Sequence, residues 1–233
     1  MESRREKEME SIFLKIPFLV GLSEAERHEI GKRIVHRDFR RNEIILHQDE
    51  TCHYLYLILS GQVKVVNMSA EGKEHILAIH EKGDFFGEMA LLDGKTAPAA
   101  VVALRDGRIC LISRESFLHV IMGNRAAMRG IIDLLCTRLR QAWLQIRVMS
   151  FDDAEHRVRA VLQGLGEKFG VRDSRGLIIG LGITHQNIAS LSTTSRETVT
   201  RFLNKAEKSG EIEVLANKHI LLKPAFTEKL HEL

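Results

Sequence analysis

The densest chemistry in the chain lies in one run: Ile183-Thr184-His185-Gln186-Asn187-Ile188-Ala189-Ser190-Leu191-Ser192-Thr193-Thr194-Ser195-Arg196-Glu197-Thr198-Val199-Thr200-Arg201-Phe202-Leu203. Arg196 and Thr200 stand four apart, as do Glu197 and Arg201, so on a helix both pairs project from one face. An arginine there can donate two bonds to guanine O6 and N7, and a glutamate can accept from cytosine N4. Thr184, His185, Gln186, Ser195 and Thr198 supply short donors for phosphates. Arg196, Arg201, Lys205 and Lys218 supply charge. A plainer reading uses the same residues. Glu197 and Arg201 would then form an ordinary i,i+4 ion pair, and Thr194 to Glu197 a capping box.

Other reactive residues are scattered. Glu88 beside His75 or His80 suggests acid/base machinery, but no metal triad, nucleophile elbow or phosphate-binding loop accompanies it, so no enzyme is expected. Cys52, Cys110 and Cys136 contain no Cys-x-x-Cys, which points to a reducing cytosol and away from a disulfide framework or a cysteine-held cluster. No metal site is expected.

The elements that position these residues follow from periodicity. Ile188 and Leu191 are apolar on one short helix, Val199, Phe202 and Leu203 on the next, and a polar turn joins them: a helix-turn-helix. Before this run, Glu43–His47, Tyr54–Leu59, Gln62–Val66, His75–Ile79, Ala100–Leu104 and Arg108–Ile112 read as short strands punctuated by Gly61, Gly72, Gly83, Gly87, Gly94 and Gly107, the pattern of a sandwich or barrel. Ser69 to Lys73 is a hairpin tip. Ser23 and Glu26 form a capping box opening a helix over 24–34. Ile12, Phe13, Ile16 and Phe18 are packing residues of the lead-in.

One long helix is expected over 114–150. Within it Met128, Ile132, Leu135, Leu139, Ala142, Ile146 and Met149 repeat at spacings of 4, 3, 4, 3, 4 and 3, an a/d seam over three heptads. The seam suits a parallel two-stranded coiled-coil dimer; the alternative is packing on the chain's own barrel. Arg138, Arg140 and Arg147 flank it as solvated positions. Asp152 or Asp153 caps a helix over 154–169. Leu177–Ile179, Glu211–Val214 and His219–Leu222 are small strands.

Composition bounds the class. At 233 residues, with 44% hydrophobic and 28% charged, the chain can bury two cores, so disorder is excluded. No apolar stretch approaches 18 residues and both charge signs mix in the first ten, so a cytoplasmic protein with no membrane span is expected. Residues 151–233 hold twelve Lys and Arg against eleven Asp and Glu. Any nucleic-acid face must therefore arise by sorting, with Glu211, Glu213 and Glu228 turned away.

Ser195-Arg196-Glu197-Thr198-Val199-x-Arg201 resembles the recognition helix of the cyclic-AMP receptor protein and fumarate–nitrate regulator superfamily of bacterial transcription factors. Gly61-x-Val63 and Gly83-Asp84-Phe85-Phe86-Gly87-Glu88-Met89-Ala90-Leu91-Leu92 resemble that family's effector-domain core. The resemblance runs from about Phe18 to Phe226. It implies an α+β fold: an N-terminal β jelly-roll (cupin-like) effector domain over 1–113, a long dimerisation helix over 114–150, and a C-terminal winged helix-turn-helix over 151–233. It also implies a homodimer on palindromic double-stranded DNA with TGTGA-like half-sites, and RNA polymerase as partner, with the loop Val171–Gly176 as a contact by position.

The chain departs from the family where a cyclic nucleotide would sit. An Arg-Ser-Ala that holds the cyclic phosphate is replaced by Ala97-Pro98-Ala99, which lacks the guanidinium and loses a backbone donor. The Thr-Ser pair that contacts adenine falls at Ala142-Trp143. Glu88, placed for a ribose hydroxyl, remains. Cyclic AMP is therefore not the expected effector. The oxygen-sensing branch needs an N-terminal cysteine cluster that the first twenty residues lack. Haem, as in a gas or nitric-oxide sensor, would need an axial ligand such as His53, His80, Cys52 or Cys136. Alternatively Phe85, Phe86, Gly87, Glu88, Leu91, Leu135, Leu139 and Trp143 form a pocket for an apolar or weakly acidic molecule, or are plain core. The family's helix-turn-helix turn usually carries a glycine where this chain has Thr193. A left-handed backbone there costs threonine about 1–2 kcal/mol.

Overall fold

The computed structural model describes residues 13, 16–69, 72–151 and 153–228. Ile12 and Asp152, named above, lie outside them. The chain divides into two compact units, one up to Arg140 and one from Gln141 onward. The fold class is the expected α+β.

The first unit opens with Phe13, Ile16 and Phe18, all buried. Pro17 starts α1 (Pro17–Val20), where its missing N–H costs nothing. Phe18 meets Phe85 and Phe117 edge-on, with ring centroids 5.1 and 5.9 Å away. The Ser23 capping box forms as expected and opens α2 (Glu24–Lys32). Glu26 Oε2 accepts from the Ser23 N–H at 2.7 Å.

Six strands follow: β1 (Val35–Phe39), β2 (Ile44–Leu46), β3 (Tyr54–Met68), β4 (Glu74–Glu81), β5 (Phe85–Phe86) and β6 (Ala100–Ser113). They make one antiparallel sheet in the order β1-β6-β3-β4, with β2 also on β6 and β5 on β3. Four segments expected as separate strands are therefore halves of two long ones, β3 and β6. Gly61 and Gly107 do not end them. The two strands cross so closely that a Cβ on Gly61 would lie 2.6 Å from Asp106 O, and one on Gly107 2.1 Å from Ser60 O. The register shifts on both sides of this crossing, so the glycines mark bulges, which bend a strand without breaking it. Beyond the bend, β3 closes the expected hairpin, with Ser69 N–H on Lys73 O at 2.9 Å.

Alternation along β3 builds two cores. Leu55, Leu57 and Leu59 face the helices with Phe85, Cys110, Ile112, Phe117 and Ile121. Tyr56, Ile58 and Val63 face the other way, among Phe39, Phe86, Val101, Ile109 and Leu111. A strand buried on both faces reads as a continuous apolar run, which is why the stretch Leu55–Leu59 shows no polar alternation.

The expected long helix is two. α3 (Glu88–Asp93) lies between β5 and β6; α4 (Arg114–Gly123) follows β6; α5 runs from Arg125 to Phe151. Asn124 interrupts the last two with an extended backbone, φ −113° and ψ 113°. Its Oδ1 accepts from the N–H groups of Ala126 and Ala127, both at 3.0 Å, so it ends one helix and caps the next. On α5, Ala127 and Ile131 are buried and Met128 and Leu134 pack against the core. The rest of the heptad seam is exposed: Ile132, Leu135, Leu139, Ala142, Ile146 and Met149. The stripe that meets this unit's own core is thus offset from the seam.

In the second unit Asp153 caps α6 (Ala154–Phe169), accepting from His156 N–H at 2.9 Å. A four-stranded antiparallel sheet in the order β7-β8-β10-β9 packs against α6. Its strands are β7 (Gly170–Asp173), β8 (Gly176–Ile179), β9 (Ile212–Val214) and β10 (Ile220–Leu222). The sequence reading missed β7. Val171 to Gly176, expected as a loop, is a tight β7–β8 hairpin with Asp173 opposite Gly176. Two charged residues and a glycine hide β7 in the sequence; only pairing with Leu177 and Ile178 makes it a strand. α7 (His185–Ser192), α8 (Arg196–Lys208) and the terminal α9 (Pro224–Glu228) complete the unit. Val158, Leu162, Ile188, Val199, Phe202 and Phe226 are buried within it. Glu211 is buried too, paired with Arg159 at 2.6 Å, and the Arg159 guanidinium lies 4.4 Å from the Phe226 ring centroid.

Candidate nucleic-acid interface

α7 and α8 form the expected helix-turn-helix, and each start is set by local chemistry. Thr184 Oγ1 accepts from Asn187 N–H at 3.1 Å, and Asn187 Oδ1 accepts from Thr184 N–H at 3.3 Å, a complete capping box. α8 is capped by Ser195, not Thr194: Ser195 Oγ accepts from Thr198 N–H at 3.1 Å. Arg196 and Glu197 therefore sit in the first turn. The Glu197 backbone N–H and the Ser195 hydroxyl hold its carboxyl below the usual range. Glu197 is thus firmly ionised, as an acceptor for a base amino group must be.

Thr193 does take the left-handed conformation, with φ 49° and ψ 50°. The turn is held from outside. Arg157 on α6 donates from Nε to Ser192 O at 3.1 Å and from Nη2 to Thr193 O at 3.5 Å. Thr193 N–H closes on Ala189 O as the helix cap. Sequence reasoning gave no role to Arg157.

Val199, Phe202 and Leu203 anchor one side of α8 in the core. On the other, Arg196, Glu197, Thr200, Arg201, Asn204, Lys205 and Lys208 line one open groove. Asn204 and Lys208 were missed, although they extend the four-residue spacing of Arg196 and Thr200. The Glu197–Arg201 pair of the plainer reading is not among the ion pairs; Arg201 Nη2 instead reaches Thr198 Oγ1 at 3.5 Å. Lys205 is engaged, with Nζ 2.6 Å from Glu155 on α6. A phosphate contact by Lys205 must replace that exposed ion pair, which holds little free energy.

A second recess lies at the α7 N-terminus. Ile183, Leu203, Val214 and Ile220 supply apolar walls; Thr184, His185, Gln186, Arg196 and Lys218 supply the polar ones. Asn217 and Lys218, both at positive φ, turn the chain between β9 and β10 and bring Lys218 here. Of the expected outward carboxylates, Glu211 is tied to Arg159 and Glu213 lies 3.4 Å from Arg175. The Glu228 side chain lies outside what is described.

The effector-domain residues are arranged differently from the expected pocket. Phe85 and Leu91 belong to one core, Phe86 to the other, stacked at 4.8 Å on Tyr56. Leu135 and Leu139 are exposed, and Trp143 is 63% exposed. Glu88 is buried behind Gly87. Arg138, expected as a solvated residue, is its partner: Nη1 donates to Glu88 Oε1, and the guanidinium lies 5.2 Å from the Phe85 ring centroid. Arg138 comes from the stripe of Ala127, Ile131 and Leu134, which is why it reaches inward. Ala97 and Ala99 are buried, and Ala97 spends its N–H on Glu50 O and its carbonyl on Asp49 N–H, both at 2.8 Å. A cyclic phosphate needs free donors and a guanidinium there; the Ala97 N–H is spent, Pro98 has none, and none of residues 97–99 carries a guanidinium. The Glu88 carboxylate is already paired with Arg138. These residues do not fit a cyclic nucleotide.

The haem candidates are not gathered. Cys52 is buried, with its thiol on Tyr54 O at 3.1 Å; burial pushes that thiol up. His53 and Cys136 are exposed. His80 lies on β4, with Nδ1 3.5 Å from Asp84. Among the described residues, no three His, Cys, Asp or Glu side chains converge as metal ligands. No described helix is long and apolar enough to cross a membrane.

Comparison with known proteins agrees with this architecture. A cyclic nucleotide-binding domain family matches residues 36–124, and a Crp-like helix-turn-helix domain family matches residues 156–225. The chain is 32% identical over 203 residues to the cyclic AMP receptor protein of Thermus thermophilus, covering 85% of this chain and 88% of that one. The structure of FixK2 from Bradyrhizobium japonicum superposes with a TM-score of 0.76 at 24% identity, over 86% of this chain and 96% of that one. A CooA variant from Carboxydothermus hydrogenoformans gives 0.73 at 26% identity, over 86% and 88%. With a cyclic nucleotide-binding-like β domain ahead of a Crp-like helix-turn-helix, the chain belongs to the CRP/FNR superfamily of transcription regulators.

Proposed function

We propose that the chain acts as a dimer, reads palindromic DNA through α8, and responds through its β domain to a signal other than a cyclic nucleotide. One observation carries the DNA reading. α8 buries Val199, Phe202 and Leu203, and leaves Arg196, Glu197 and Arg201 exposed beside an N-terminus fixed by Ser195. In this reading Arg196 is bidentate to a guanine and Glu197 accepts from a cytosine. Thr184, His185, Gln186, Ser195, Thr198, Thr200, Arg201 and Lys205 hold the helix in the groove. The family resemblance supports TGTGA-like half-sites, and a two-fold dimer would place them one helical turn apart. The β7–β8 hairpin is the proposed contact for RNA polymerase. The exposed seam from Ile132 to Met149 supports dimerisation. The Glu88–Arg138 pair and the Ala97-Pro98-Ala99 segment support a different class of effector.

Selection from a randomised duplex pool tests the first part. An inverted repeat is the expected product, and recovery of no preferred sequence would sink the reading. Titration calorimetry with cyclic AMP and cyclic GMP tests the second: no heat is expected at sub-millimolar ligand, and micromolar binding would overturn it.

A further inference from the structure

His185 takes part in a chain of hydrogen bonds that fixes which of its nitrogens carries the proton. Its Nδ1 lies 2.9 Å from Thr200 Oγ1, and that hydroxyl donates to the Arg196 carbonyl at 3.0 Å. A carbonyl only accepts, and the hydroxyl has one proton to give. With that proton on the Arg196 carbonyl, the Nδ1 brings the proton to Thr200. A neutral His185 is held as the Nδ1–H tautomer, with a bare lone pair on Nε2.

That tautomer cannot bond to a phosphate, because both groups are acceptors. Only the imidazolium, protonated at Nε2 as well, can donate to a phosphate oxygen. In the free protein the charged groups that share its recess are cations. Arg196 on α8 and Lys218 in the β9–β10 turn line the same recess, and His185 is the first residue of α7, at the positive end of its dipole. None of the residues lining the recess is a carboxylate. A DNA phosphate placed there supplies the negative charge.

We infer that His185 is a proton-coupled phosphate contact: DNA binding draws a proton onto Nε2, and the Thr200 relay keeps the neutral ring from serving instead. This rests on α8 reading DNA as proposed above. Because only a ring protonated at Nε2 can donate to the phosphate, affinity is full at low pH and is lost as pH rises through the range in which imidazoles titrate. The loss is up to about tenfold per pH unit for each protomer bound.

The test uses the full chain and a labelled duplex carrying two inverted TGTGA half-sites, with the pool-selected duplex as a second probe. Affinity is measured by anisotropy from pH 6 to 8 at fixed ionic strength. The wild type should weaken across this range. H185Q should lose that component and bind at pH 6 no better than the wild type does at pH 8. T200V removes the acceptor from Nδ1–H and lets the neutral ring present Nε2–H. Whatever affinity the loss of the hydroxyl costs at every pH, its profile should be flatter than that of the wild type, and a T200V profile as steep as the wild type's overturns the inference. Parallel pH profiles for wild type and H185Q, or a uniform loss in H185Q at every pH, overturn the inference while leaving the DNA reading intact. Failure of both duplexes to bind at any pH overturns both.

Discussion

Arg138 on α5 and Glu88 on α3 are ion-paired, and the second carboxylate oxygen of Glu88 is buried with no hydrogen-bond partner among the described residues. A carboxylate in that position depends on its one cation. Arg138 also ties α5 to the β domain, alongside the apolar contacts of Ala127 and Ile131, so the β-domain core and the helix share an electrostatic contact. Removing the guanidinium with Arg138→Met should destabilise the protein by about 2–3 kcal/mol, below the value for a fully buried pair because Arg138 remains 30% exposed. Adding Glu88→Gln should recover much of the loss. Urea unfolding of the single and double variants checks this. Additive losses would show that the two residues are not coupled.

Leu139 is half exposed at the middle of the seam. Leu139→Glu would bring two carboxylates together at the centre of a coiled-coil interface, costing several kcal/mol of association unless they protonate. Light scattering should report a monomer, and affinity for a two-site duplex should collapse. An unchanged dimer would remove α5 from the interface.

Arg196→Ala should weaken binding by about 1–3 kcal/mol and relax preference at one base pair. Glu197→Ala should relax preference at the cytosine-bearing pair with less loss of affinity, because a carboxylate near DNA is repelled by its phosphates. Lys205→Ala should weaken all sequences alike and lower the salt slope by about one. Selection on randomised half-sites at two salt concentrations separates these outcomes. Uniform weakening by Arg196→Ala, with base preference intact, would make Arg196 a phosphate clamp.

Thr193 holds a β-branched side chain in the left-handed region. Thr193→Gly removes a strain of about 1–2 kcal/mol and adds about 0.5–1 kcal/mol of unfolded-state freedom, leaving a net gain near 1 kcal/mol. Its urea midpoint should rise. A lower midpoint would mean that the threonine side chain stabilises the turn by more than its strain.

Asp153 accepts from the His156 N–H, which holds its carboxyl below the usual range, with the His156 ring a smaller contributor. A carboxyl with a depressed folded pKa contributes stability that is full at neutral pH and is lost as pH falls through that pKa. Asp153→Ala should cost about 1 kcal/mol at pH 7 and much less near pH 3. Urea midpoints at the two pH values measure the difference; an equal cost at both would assign the effect to something other than the ionised cap.

The helix-turn-helix was legible because its signals are local. The apolar spacing of Val199, Phe202 and Leu203 and the polar stripe from Arg196 to Arg201 act within one or two turns of chain; the caps are not read from the sequence, where Thr184 and Ser195 stand as phosphate donors and Thr194 as the cap. The Ser23 capping box, the hairpin tip at Ser69 and the Asp153 cap were legible for the same reason. The seam was legible because a 3.5-residue period is a property of one helix.

Other features depend on what a residue meets from far along the chain. Gly61 and Gly107 each look like a strand end, and only their mutual close approach makes them a bend in two long strands. Gly170–Asp173 has no strand character until Gly176–Ile179 pairs with it. Asn124 breaks a run with no proline because its side chain caps the following turn while Gly123 ends the one before. Arg138 reads as one more solvated arginine of α5, and its burial against Glu88 follows from the helix phase that Ala127 and Ile131 set on the core. The sequence by itself determined the helix-turn-helix, the heptad seam and the family, since those rest on patterns a few residues apart. Tertiary structure alone decided where Arg138, Arg157 and the His185–Thr200 relay point, because each is fixed by a partner that no spacing rule connects to it.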